Sequence, residues 1–135
     1  MGKIIVNARK TPSGYSANID ILSGWVVGVS GSFEDLKKEI ADSVAIFIKW
    51  AKKDGDQYPV VFDGEYEFEY KFDIESLLYC YEGIFTRSAI SRLTGINQKQ
   101  LGHYALGRSH PRTAQQTKIV SALHKLGREL IAVSV

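Results

Sequence analysis

The sequence predicts an α+β chain in two parts: an antiparallel β-sheet carrying one packed helix, followed by an all-α region built as a helix-turn-helix. Three observations carry this expectation. Short alternating segments separated by turn residues occupy much of residues 1–72. One long amphipathic stripe, from Leu36 to Ala51, interrupts them. From Asp73 onward the apolar spacing is helical, and the charge reverses. Residues 1–72 hold nine Lys/Arg and eleven Asp/Glu, a net of −2, whereas residues 73–135 hold eight and four, a net of +4. We therefore place the domain boundary at Phe72-Asp73, giving units 1–72 and 73–135.

Lys3–Arg9 carries the β-branched run Ile4, Ile5 and Val6 and reads as a strand. Thr11-Pro12-Ser13-Gly14 supplies a turn. Tyr15, Ala17, Ile19 and Ile21 then alternate with Ser16, Asn18 and Asp20, a second strand with one apolar face. Ser23-Gly24 turns the chain again into Trp25–Val29, completing an antiparallel meander. Ser32-Phe33-Glu34-Asp35 fits a capping box, and Leu36, Ile40, Val44, Phe47, Ile48 and Ala51 follow at steps of three and four. Lys49, Lys52 and Lys53 suit the last turn of that helix, and Gly55 ends it. Strand character resumes at Tyr58–Phe62. After Asp63-Gly64, Tyr66, Phe68, Tyr70 and Phe72 alternate with Glu65, Glu67, Glu69 and Lys71.

Ile74, Leu77, Leu78 and Tyr81 make a first helix of the second part, and Thr86–Leu93 a second in which Ile90 and Leu93 are spaced to face a core. Gly95 breaks the pattern, Ile96 plugs the turn, and Asn97 caps a third helix to Leu106, with Leu101, Tyr104 and Ala105 inward. Thr113–Leu126 is a fourth. The tail Leu130–Val135 leans toward β and suits pairing with a sheet edge, that of a second protomer included.

The face left over in the third helix carries Gln98, Lys99, Gln100 and His103. Gln pairs in bidentate fashion with adenine and Lys suits guanine, so these side chains are candidates for reading base edges, with Gln100 turned more sideways toward a base or a phosphate. Gly102 allows close approach of a backbone. Arg108, Ser109, His110 and Arg112 form a basic loop placed for phosphate, and Thr86 and Arg87 stand at the start of the preceding helix, where they can clamp the backbone from the other side. From Arg87 onward eight basic residues face Glu129 alone. An ordinary helical bundle with a polar surface is the bland alternative. Ser91 stands where such motifs usually place Ala, and Thr94 where an apolar residue is commoner.

Other function classes have little purchase. Apolar residues make up 44% of the chain, enough for real cores, yet no run approaches the roughly 20 residues that cross a bilayer. The start MGKIIVNARK has no secretory h-region, so the cytoplasm is the expected compartment. Cys80 is alone and reads as a small buried hydrophobe. His103, His110 and His124 lack metal-ligand spacing, and no cofactor motif is present, so neither a metal nor a cofactor is expected. Of the aspartates, Asp20 on the polar face of a strand is the one suited to a nuclease carboxylate pair, and no enzymatic activity is expected. The stripe Glu65, Glu67 and Glu69 admits two readings, a solvated face that discourages edge pairing or an acidic surface that docks a basic partner.

Gly14-Tyr15-Ser16-Ala17, Gly24-Trp25-Val26 and the helix opening Ser32-Phe33-Glu34-Asp35-Leu36 resemble HicB-type antitoxins, although Ser23 stands where that pattern usually has proline. Asp73–Val133 resembles the helix-turn-helix appendage of one HicB-like branch, most closely from Ser88-Ala89-Ile90 through His103-Tyr104-Ala105. The resemblance implies a partial ribonuclease-H-like domain without catalytic acids that blocks a small HicA-type RNA-cleaving toxin. It also implies an operator-binding domain acting as a dimer or higher oligomer. A stand-alone regulator whose first domain dimerises or senses a ligand is the alternative.

Overall fold

Ile4, Val6 and Ala8 alternate with Lys3, Ile5, Asn7 and Arg9. In the computed structural model, which describes residues 1–135, this segment is strand β1 (Gly2–Lys10), with the first set buried. β2 (Tyr15–Asn18) pairs with it antiparallel, Ala8 opposite Ala17, and β3 (Val26–Val29) pairs antiparallel with β2, Ala17 opposite Val27. The helix α1 (Phe33–Asp54) follows, and then β4 (Tyr66–Phe72). The chain divides into two compact units, Met1–Asp73 and Ile74–Val135.

The sheet is not wholly antiparallel. Its order is β3-β2-β1-β4, and β4 lies parallel to β1, Ile4 beside Phe68 and Val6 beside Tyr70. A helix of 22 residues spans about 33 Å, enough to carry the chain back along the sheet. The next strand then starts at the end where β1 starts. Alternation in Glu65–Phe72 identifies a strand but is blind to its direction.

α1 forms where the capping signal places it. The Ser32 side chain accepts from Asp35 N (3.2 Å), and the Asp35 carboxylate accepts from Ser32 N (2.9 Å). Gly55 closes the helix in the left-handed region (φ 73°). Phe33, Leu36, Ile40, Val44, Ile48 and Ala51 are buried, and α1 packs over β2 and β3. Phe47 departs from the expected stripe. It stays exposed with Ile46 and Trp50, because the helix turns its 36–40–44–48–51 row to the sheet.

Other expectations need correction. Trp25 is buried ahead of β3 rather than in it, and β2 stops at Asn18. Two tight turns follow, with Leu22 N donating to Ile19 O and Trp25 N to Leu22 O, so Leu22 is buried and Ile21 exposed. Tyr58–Phe62 forms no strand. Pro59 lacks a donor and leads into a 3-10 turn, Val60–Asp63, that buries Phe62. Tyr58 Oη donates to Asp63 Oδ1 (2.8 Å), which also lies 3.4 Å from Lys52 Nζ. That hydrogen bond, with lesser help from burial and the Asp63 charge, pushes the Tyr58 phenol up. Burial does the same to Tyr70.

The second unit contains α2 (Ile74–Tyr81), α3 (Arg87–Thr94), α4 (Gln98–Ala105) and α5 (Thr113–Ile131). Its core is Ile74, Leu78, Ile90, Ile96, Leu101, Tyr104 and Ile119. Cys80, on α2, is half-buried. α5 runs through Gly127, which costs about 1 kcal/mol against Ala but does not stop a helix continued by Arg128, Glu129 and Leu130. The expected β-leaning tail is therefore helical to Ile131, and the last residues are exposed and outside any sheet. No helix is long and apolar enough to cross a membrane.

Ile40→Ala is expected to lower stability by about 2–5 kcal/mol in urea titrations, and Ser32→Ala by about 0.5–2 kcal/mol. Equal losses at Ile40 and at the exposed Ile46 would contradict the assigned helix face.

Candidate nucleic-acid interface

The second unit presents two eight-residue helices joined by Gly95–Asn97. α3 begins at Thr86, whose Oγ1 accepts from Ala89 N (3.0 Å), and ends at Gly95, whose N–H donates to Ser91 O (2.7 Å). Gly95 sits at φ 76°, a conformation that costs a residue with a Cβ about 1–2 kcal/mol. Ile96 is buried in the core, and Asn97 then caps α4, its Oδ1 accepting from Lys99 N (2.8 Å).

The turn is fixed by Thr94. This residue is buried, its Oγ1 donates to Ile90 O (2.7 Å) and it accepts from Ile96 N (3.1 Å). The expected apolar position is thus occupied by a hydroxyl with both hydrogen-bonding roles filled. Leu93 was the expected partner of Ile90, yet it is 41% exposed. Ile90 and Thr94, four apart, share the inner face instead.

Leu101 and Tyr104 anchor α4 from beneath, with Ala105 half-buried beside them. Gln98 and Lys99 are exposed on its first turn, and His103 is half-buried one turn on. Gln100 is otherwise engaged. Its Nε2 donates to Ser109 Oγ (3.1 Å), tying α4 to the loop that follows instead of reaching outward. The backbone of that loop returns to α4, Arg108 N donating to His103 O (2.9 Å), which leaves Arg108, His110 and Arg112 exposed on one short segment.

Arg87 and Gly102 form a contact that the sequence did not announce. Gly102 is buried, and a Cβ built there would stand 3.0 Å from Arg87 Nη1. The guanidinium therefore lies over a notch in α4, and the closeness that Gly102 permits is to Arg87. A glycine in mid-helix five residues after the Asn97 cap was the available signal. Thr86 and Asn97, also candidate contacts, spend their side-chain oxygens on helix caps.

In the first unit, Glu67 and Glu69 are exposed on β4, while Glu65 precedes it. Register places Lys3 beside Glu67, Ile5 beside Glu69 and Asn7 beside Lys71, so the stripe is interleaved with a cation and is less acidic than the sequence of β4 suggests. Asp20 Oδ1 accepts from Asn7 Nδ2 (3.0 Å) and Asn18 Nδ2 (3.4 Å). No group of three or more His, Cys, Asp or Glu side chains is placed to hold a metal ion. A groove of about 550 Å³ lies along the flank of α1, lined by Ile46, Phe47, Trp50 and Asp54 of the helix, by Asp56, and by Trp25 from the turn before β3.

Comparison with protein-family models, with curated proteins and with solved structures finds no match for the chain.

Thr94→Val keeps the volume but strips the turn of its hydroxyl, leaving the buried Ile96 N–H without a partner. A loss of about 1–3 kcal/mol in denaturant unfolding is expected, with Thr94→Ser retaining most of the stability. Equal stability of the wild type and Thr94→Val would remove the hydroxyl from this account.

Proposed function

We propose that residues 74–135 are a helix-turn-helix DNA-binding domain with α4 as its recognition helix. The observation that carries this reading is the closed three-residue turn, which holds α4 on the core by Leu101 and Tyr104 while its first turn stands exposed with Gln98 and Lys99. A recognition helix reads base edges with its N-terminal residues, and Gln and Lys are suited to adenine and guanine. His103 extends the reading surface by one turn. Arg108 and Arg112 grip phosphate, and Arg87 joins them from the start of α3. Asn97 and Thr86 act chiefly by capping the two helices, and Gln100 by positioning the loop.

The whole chain, on this proposal, is an antitoxin of the HicA/HicB type. It blocks an RNA-cleaving toxin through its first unit and represses its own operon in the cytoplasm as a dimer or higher oligomer. Support for the first unit comes from the resemblance carried by Gly14–Ala17, Gly24–Val26 and Ser32–Leu36. Its βββαβ order with one covering helix agrees with the partial ribonuclease-H-like domain that the resemblance implies. Glu65, Glu67 and Glu69 are the proposed docking acids for a basic toxin.

The groove on α1 favours a second reading, a stand-alone regulator whose first unit senses a ligand. Two tryptophans line it, so a ligand bound there would change their fluorescence.

Gln98→Ala and Lys99→Ala are each expected to cost about 1–3 kcal/mol at a cognate site and little on unrelated duplexes. Arg108→Ala and Arg112→Ala should weaken every duplex alike and each reduce the slope of log K against log salt by about 0.9. Anisotropy titrations at several salt concentrations separate the two classes, and an unchanged operator footprint in Gln98→Ala and Lys99→Ala would sink the recognition-helix assignment. For the toxin, co-expression with a small basic product of a neighbouring gene should give a stable complex. Failure to co-purify with it or neutralise it would leave the regulator reading.

A further inference from the structure

We infer that two copies of this chain pair through the open edge of β4, antiparallel, joining their sheets into one. β4 is the outermost strand, with β1 on one side. Glu65 O accepts from Gly2 N, so Glu65 turns its backbone groups toward β1. Alternation then gives Glu67, Glu69 and Lys71 the same direction, and Tyr66, Phe68, Tyr70 and Phe72 point their N–H and C=O groups off the sheet. No backbone hydrogen bond reaches that outer row. The strand has no proline and no bulge, two of the devices that blunt an edge; its charges, Glu67, Glu69 and Lys71, are a third, and they are of both signs.

The side chains identify a second copy as the occupant. On the α1 side, Tyr66, Phe68, Tyr70 and Phe72 form a half-buried aromatic row at the sheet margin, because α1 lies over β2 and β3. Of this row Phe33 reaches Tyr70 and Phe72, at 5.2 and 5.1 Å between ring centroids, and Phe62 meets Tyr66 at 5.2 Å. Full antiparallel overlap of two β4 strands sets Tyr66 opposite Phe72 and Phe68 opposite Tyr70, each twice, which are favourable cross-strand pairs. On the other face the same register sets Glu67 opposite Lys71, twice, and brings Glu69 to its own twin on the twofold axis. Sliding one strand by two residues shortens the overlap: one direction sets Glu67 against Glu69 and leaves Phe72 without an aromatic partner, and the other keeps Glu69 opposite Lys71 but sets Glu67 against Asp73 and leaves Tyr66 without one. The full overlap is the register that pairs all four aromatic residues. The inference stands on the first unit and does not rest on the operator-reading proposal, although it supplies the second copy that a twofold reader needs.

Cysteine cross-linking of the full chain, in a Cys80→Ser background, tests the register. Residues 69 form a non-hydrogen-bonded pair with Cα atoms about 4.5 Å apart, within reach of a disulfide. Glu69→Cys should give a reductant-reversible covalent dimer under mild oxidation. Glu67→Cys should not, since its twin lies about 13 Å along the partner strand. Glu67→Cys with Lys71→Cys should recover the cross-link. Adding Lys71→Glu to Glu69→Cys should slow cross-linking roughly tenfold by turning both ion pairs into repulsions. Glu69→Cys that links no faster than Glu67→Cys, or linking indifferent to Lys71→Glu, would overturn the pairing and leave the edge to a strand of another protein. The readout contains no DNA, so it fails or succeeds apart from operator binding.

Discussion

A single buried hydroxyl organises the surface on which the functional reading depends. Thr94 Oγ1 bonds back to Ile90 O and forward to Ile96 N, so the end of α3, the left-handed Gly95 and the start of α4 are fixed by adjoining groups. With that corner set, Ile96 enters the core and Leu101 and Tyr104 follow one and two turns later. The polar first turn of α4 then faces outward because the opposite face is committed. A shift of one residue at Thr94 would rotate the helix by about 100° and set Gln100 or Gly102 in place of Leu101. Recognition would depend on this pre-set geometry, since side chains reading base edges must arrive at a fixed depth and register.

The first unit rests on a different constraint, the covering of one sheet face by one helix. α1 buries its 36–40–44–48–51 row against β2 and β3, and this leaves the aromatic face of β4 at the margin and a tryptophan-lined groove along the helix's flank. Both are apolar surfaces that the unit does not cover itself. The outer face of the sheet carries Lys3, Ile5, Asn7 and Arg9 beside Glu67, Glu69 and Lys71, a mixed surface in which charge pairing is local. A partner that docked there would meet alternating signs, and its selectivity would come from spacing more than from net charge.

Where local chemistry decides structure, the sequence was legible. The Ser32–Asp35 box, Gly55, Gly95 and Asn97 all act where their residue types indicate, because caps and left-handed turns are satisfied by neighbours in sequence. Where tertiary contact decides, it was not. Strand direction in β4 depends on the path of α1, and the choice of Thr94 over Leu93 as the inner residue depends on what lies beneath α3. Pro59 broke an apparent strand at Tyr58–Phe62, and Gly127 did not break α5. In the candidate site, Gln98, Lys99, Arg108 and Arg112 were readable as exposed polar groups. The Gln100–Ser109 bond and the Arg87 side chain over Gly102 join residues nine and fifteen apart, beyond the reach of spacing rules.

On the proposed reading, the second unit reads DNA and the first supplies copies and partners. Selection of bound duplexes from a random library by the full-length protein tests the central claim most directly. The account predicts enrichment of an inverted repeat whose half-sites are centred about 34 Å apart, one helical turn, with adenine and guanine positions specified in each half. Recovery of sequences no different from the starting library, at salt low enough for phosphate binding to persist, would contradict it.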